Sequence, residues 1–141
     1  MRYMLIVKAN EDSEAGRMPS TEELASMGAF NEELVNAGIM LAGEGLAESA
    51  KGVRIKSTKG QVEVIDGPFA EAKELIAGFW ILDVKSLDEA VAWAKRCPAL
   101  KGTFEIEIRK VHEAEDFGDS YTAELQAQEE ALRAKISEQH S

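Results

Sequence analysis

A chain of 141 residues, 45% hydrophobic and 30% charged, is long enough to bury one core and too apolar to stay disordered. Its formal net charge of −10 argues against a nucleic-acid backbone or an anionic membrane as partner. A single cysteine, Cys97, excludes an internal disulfide, and neither a membrane-length apolar run nor a leader pattern is visible, so a cytoplasmic protein is expected.

Residues 2–9 place Tyr3, Leu5 and Val7 on one face and Met4 and Ile6 on the other, the pattern of a strand buried on both sides. Residues 10–19 are polar, contain Gly16 and read as a loop. Ser20 with Glu23 offers a capping box, Leu24, Met27, Phe30, Leu34 and Val35 follow near helical spacing, and Gly38 is the stop. Residues 39–42 predict a strand that closes in a Gly43-Glu44-Gly45 turn. Val53, Ile55 and Ser57 alternate with Arg54 and Lys56, and residues 61–65 return after Lys59-Gly60, which predicts a half-buried hairpin.

Residues 79–84 are apolar on both faces and predict a second central strand. Ser86 and Glu89 open a helix carrying Leu87, Ala90, Val91 and Ala94; Cys97 lies just beyond it, before Pro98, as a buried small residue rather than a nucleophile. Phe104, Ile106 and Ile108 alternate with Glu105, Glu107 and Arg109 in a strand with one wet face. The order β-α-β-hairpin-β-α-β predicts an α+β domain of ferredoxin-like, split-βαβ type with an inserted hairpin. Two helices on one face of such a sheet leave the other open, and the expected cover is a second copy, giving a homodimer. The domain is expected over residues 1–113. Residues 114–141 form an acidic C-terminal extension whose stripe of Tyr121, Leu125, Leu132 and Ile136 suits either a docked helix or a partly ordered tail.

The segment Asp66-Gly67-Pro68-Phe69-Ala70-Glu71-Ala72-Lys73-Glu74 resembles the signature of the DGPF branch of the YCII-related family. Tyr3-Met4-Leu5-Ile6, Ala42-Gly43-Glu44-Gly45-Leu46, Gly78-Phe79-Trp80-Ile81-Leu82-Asp83-Val84 and Leu87-Asp88-Glu89-Ala90 extend the likeness over residues 2–112. The resemblance implies a dimeric α+β barrel. It also implies a gene context beside extracytoplasmic-function sigma factors for some members. The YCII branch carries a His–Asp pair with an early histidine; here the histidines are His112 and His140, so that role is not carried over.

The signature has its own physical logic. Gly67 permits a tight turn, Pro68 holds its φ, Phe69 can anchor the turn in the core, and Asp66 can cap it as an Asx turn. Asp66, Glu71 and Glu74 bring three carboxylates and Lys73 one amine into nine residues. Converging with Glu44, they would line a cleft in which like charges split their pKa values, with Asp66 and Glu71 as acid and base. Lys73 would orient an anion, and Glu44, Glu74, Phe69 and Trp80 would line the ligand site, although Trp80 equally fits the core. The same charges would also suit a solvated structural turn. The sequence shows no ligand set for zinc, no calcium-loop spacing and no phosphate-loop or dinucleotide fingerprint, so no metal or cofactor is expected. Two functions stay open: a small-molecule site in each subunit of a homodimer, or a non-catalytic interaction module with a sigma factor as partner.

Overall fold

The computed structural model describes the backbone of all 141 residues and every side chain except that of Lys73. The chain divides into two compact units, Met1–Lys110 and Val111–Ser141. The first is α+β. Its four-stranded sheet runs β2 (Met40–Gly45), β5 (Ile76–Asp83), β1 (Arg2–Lys8), β6 (Ile106–Lys110), with every neighbouring pair antiparallel. β5 therefore lies between β1 and β2, and β1 and β5 are the central strands anticipated from their two-sided apolar pattern.

Register decides which side chains meet. Leu5 stands opposite both Trp80 and Ile108, and Tyr3 opposite Leu82, so these residues share one face. Helices α2 (Thr21–Asn36) and α3 (Leu87–Ala94) contribute Phe30, Leu34, Ala90 and Ala94 to the same buried cluster, which Cys97 completes. Burial pushes the Cys97 thiol pKa up, which keeps it protonated and inert. The opposite face carries Met4 and Ile6 from β1, Phe79 and Ile81 from β5, Ala42 and Glu44 from β2, and Glu107 from β6.

Several expectations change in detail. In α2 the buried stripe is Met27, Phe30 and Leu34, whereas Leu24 and Val35 are exposed. At 3.6 residues per turn these two sit roughly a quarter-turn round from the stripe's centre. Neither capping box closes reciprocally. Ser20 and Ser86 accept from the amides of Glu23 and Glu89, but Glu23 reaches Arg17 instead and Glu89 accepts from the Lys85 amide. The reciprocal box forms in the stretch read as a loop, where Asn10 and Ser13 cap the short helix α1 (Glu11–Glu14).

The Gly43-Glu44-Gly45 segment is strand, not turn. Gly43 faces Trp80 and Gly45 faces Gly78 across β2 and β5. A Cβ on Gly43 would lie 2.7 Å from Trp80 Cδ1, so glycine here serves close packing. The hairpin forms as β3 (Val53–Thr58) and β4 (Gln61–Asp66), a separate two-stranded sheet turning at Lys59 and Gly60 with positive φ of 51° and 85°. All its residues are exposed, where half burial was expected.

The second unit holds the 3-10 segment Ala114–Ser120 and helix α4 (Ala123–Gln139), capped by Thr122. Tyr121 donates to the Glu129 carboxylate, which raises its pKa, and Arg133 binds the same carboxylate at 2.8 Å. Leu125, Leu132 and Ile136 of α4 are exposed. No helix among the described residues is long and apolar enough to cross a membrane.

The stripe assignment makes a direct prediction. Leu34→Ala, at a fully buried position, should cost about 2–5 kcal/mol in urea denaturation. Leu24→Ala should stay within about 0.5 kcal/mol. Equal losses at the two positions would contradict the assigned helix face.

Candidate functional site

The 66–69 turn leaves β4 and returns through a 3-10 turn at Ala72–Glu74 into β5. Its backbone hangs on a second loop rather than on its own side chains. The Gly67 amide donates to the Gly52 carbonyl at 3.0 Å, and the Phe69 amide donates to Ser49 Oγ at 3.1 Å. Ser49 lies in the 3-10 turn Ser49–Lys51 that precedes the hairpin. Its hydroxyl donates to Glu14 Oε1 in a short hydrogen bond, and its amide donates to Glu14 Oε2 at 3.0 Å.

One carboxylate at the end of α1 thus fixes the Ser49 hydroxyl, and that hydroxyl fixes the turn. The expected Asx turn does not form, because the residue two positions on from Asp66 is Pro68, which has no N–H to donate, and the next amide, that of Phe69, donates to Ser49 Oγ. Gly67 has an ordinary backbone angle. Its small size is needed because a Cβ there would meet the Ser49 carbonyl oxygen at 1.8 Å.

Phe69 lies outside the main core and is half-buried, with the Arg54 guanidinium 3.9 Å over its ring. Asp66 stands opposite Val53 on one face of the β3–β4 ribbon, while Arg54 belongs to the other face. Asp66, Glu71 and Glu74 are all exposed. Glu44 is exposed on the sheet face opposite the helices, in register with Phe79. The Lys73 side chain, assigned to anion orientation, lies outside the described residues.

Trp80 is placed in the core. It packs edge-on to Phe30 with centroids 5.5 Å apart, and its Nε1 donates to Asn31 Oδ1 at 2.9 Å. Among the described residues no three Asp, Glu, His or Cys side chains are grouped closely enough to hold a metal ion. Asp66, Glu71, Glu74 and Glu44 thus belong to no such metal-holding group. His112 stands 3.8 Å from Asp116 and meets the Phe117 ring at a tilt of 57°, centroids 5.0 Å apart, in the second unit.

Sequence reading missed Glu14 and Ser49. The available signal was local: Asn10 and Ser13 mark a helix start that brings Glu14 into a defined last turn. Nothing in the one-dimensional order links it to residue 49. Gly67→Ala should displace the Ser49 loop and lower stability by about 1–3 kcal/mol, read as a fall in melting temperature. An unchanged melting temperature would show that the close approach is dispensable.

Comparison with known proteins places this geometry in context. The profile of the YCII-related domain matches residues 1–115. An uncharacterised protein of Rhizobium meliloti (strain 1021) is 33% identical over 72 residues, 51% of this chain; the match spans 58% of that curated relative's length. Among solved structures, a 5-chloro-2-hydroxyhydroquinone dehydrochlorinase from Burkholderia phenoliruptrix AC1100, in complex with 2,5-dihydroxybenzoquinone, aligns with TM-score 0.47 and 18% identity. That alignment covers 82% of this chain and 98% of the other. The matched profile takes in the whole sheet, both helices packed on it and the 66–69 turn, and the chain belongs to the YCII-related domain family.

Proposed function

We propose that the 66–69 turn is the floor of a small-molecule site, one per subunit of a homodimer, at which the protein binds or converts its ligand. The observation that carries this reading is a division of roles. Gly67, Ser49 and Glu14 hold the turn's backbone, while the carboxylates of Asp66, Glu71 and Glu74 stay at the surface. Charges that the fold does not use for its own support are available for a ligand. In this reading Asp66 and Glu71 supply acid–base or hydrogen-bonding groups. Phe69 offers an apolar wall, and Arg54 above its ring adds a positive charge beside the turn.

The resemblance of the signature to the DGPF branch supports the location. The order β2-β5-β1-β6 supports a ferredoxin-like subunit, with a second copy over the sheet face opposite the helices as in a dimeric α+β barrel. Glu44 lies on that face and would join the site as a ligand-lining carboxylate. Lys73 keeps its proposed role of orienting an anionic group, Glu74 supports the carboxylates, and the proposed location is the cytoplasm.

The test separates scaffold from site. Asp66→Asn and Glu71→Gln should leave stability within about 0.5 kcal/mol. Ser49→Ala, which strands the Phe69 amide and leaves the Glu14 carboxylate with the Ser49 backbone amide alone, should lose about 1–3 kcal/mol. A broad screen of small organic acids and neutral metabolites by thermal shift should then find a compound that raises the melting temperature of the wild type but not of the Asp66→Asn/Glu71→Gln pair. A screen in which no compound distinguishes the two proteins would defeat the reading.

A second reading rests on the exposed Leu125, Leu132 and Ile136 of α4. It makes the protein a non-catalytic interaction module, with an extracytoplasmic-function sigma factor as the partner implied by the resemblance. Ending the chain at Glu113 should then abolish co-purification with such a factor while leaving the far-UV spectrum of the first unit folded. Undiminished co-purification would remove α4 as the docking element.

A further inference from the structure

The second unit carries an aromatic cavity of its own. It measures about 320 Å³ and is lined by Phe117, Ser120, Tyr121 and Glu129, a size that suits a small ligand. Gly118 stands between the two aromatic residues with φ 66° and ψ −154°, backbone angles that glycine alone adopts readily. Around that bend the Phe117 and Tyr121 rings meet edge to face, centroids 5.6 Å apart, and His112 adds a third ring 5.0 Å from Phe117. Burial does not account for the cluster, because Phe117 is 53% exposed.

Electrostatics select what the cavity holds. Residues 111–141 contain eight acidic side chains against Arg133 and Lys135. One of those acids, Glu129, is itself a wall of the cavity. Tyr121 donates to its Oε2 in a short hydrogen bond, and Arg133, four residues along α4, donates to its Oε1 at 2.8 Å. A carboxylate has about four acceptor positions, so these two partners fix its direction without exhausting it. The hydrogen bond from Tyr121 to Glu129, together with the charges of Glu129 and Glu130, raises the phenol pKa, and the ring stays neutral in a negative field.

Ring faces beside an oriented carboxylate attract a cation. Among the described residues no three acidic, histidine or cysteine side chains group to hold a metal ion, and ring faces replace the water of a strongly hydrated ion poorly. An alkylated ammonium has the matching chemistry: its methyl groups pack on the rings and its diffuse charge faces Glu129.

We propose that the cavity at Phe117, Tyr121 and Glu129 binds the alkylated ammonium group of a small organic cation. The site uses no residue of the 66–69 turn, so this inference and the function proposed there stand or fall separately.

The test is a titration of the 15N-labelled full chain with choline chloride at constant ionic strength, followed in the proton–nitrogen correlation spectrum. A parallel titration uses 3,3-dimethylbutan-1-ol, which has the shape of choline without its charge. Choline should give saturable shifts centred on the amides of residues 117–121 and 129, and the neutral alcohol should bind roughly tenfold more weakly. Phe117→Leu keeps an apolar side chain at an exposed position and removes the ring. It should weaken choline roughly fivefold, with an unchanged far-UV circular dichroism spectrum. Glu129→Gln should weaken choline while leaving the alcohol unaffected. The absence of saturable shifts at these amides, equal binding of choline and the alcohol, or undiminished choline binding by the folded Phe117→Leu protein would each overturn the proposal. The comparison of choline with the alcohol needs only the wild type, so it decides the matter even if a variant fails to fold.

Discussion

Trp80 is the point at which β1, β2, β5 and α2 come together, and most of the first unit is arranged around its indole. The ring stands opposite Leu5 on the neighbouring strand and meets Phe30 edge to face. Burying an indole N–H without a partner is costly, and Asn31 on the same helix accepts it. The room for the ring is made on the other side by Gly43. One large side chain therefore sets the position of α2 over the sheet and the closeness of β2 to β5, and it requires glycine in a strand where a turn was expected.

That packing has a consequence for function. Because Gly43-Glu44-Gly45 is pulled into β2, Glu44 alternates onto the face of the sheet away from the helices. Asp66 ends a ribbon that belongs to a separate sheet, and Glu71 and Glu74 follow it. The sheet and the turn are two separately supported features, one held by the packing around Trp80 and the other pinned by Ser49 and Glu14.

The pinning of the turn shows why glycine and proline motifs are easily over-read as conformational devices. Gly67 looks like a residue chosen for a left-handed angle, yet it has no positive φ. It is glycine because the carbonyl of Ser49 passes where a Cβ would be. Asp66 looks like an Asx cap, yet the residue two positions on is Pro68, which has no N–H to donate. For Gly67 a residue eighteen positions earlier in the chain decides the role, through a contact that local rules do not contain.

What the sequence determined by itself was whatever depends on periodicity. Tyr3, Leu5 and Val7 against Met4 and Ile6, and the two-sided apolar run at 79–84, announce central strands. Serine caps and 3.6-residue spacing announce α2 and α3, and the order of elements announces an α+β sheet. Tertiary structure alone decided everything that depends on which surfaces meet. It selected Met27, Phe30 and Leu34 over Leu24 and Val35, drew Gly43 and Gly45 into the sheet, left the ribbon's apolar face uncovered, and joined Glu14 to Ser49 to Phe69. Periodicity is a property of neighbours along the chain, whereas a hydrogen bond across thirty-five positions is fixed only when the fold closes.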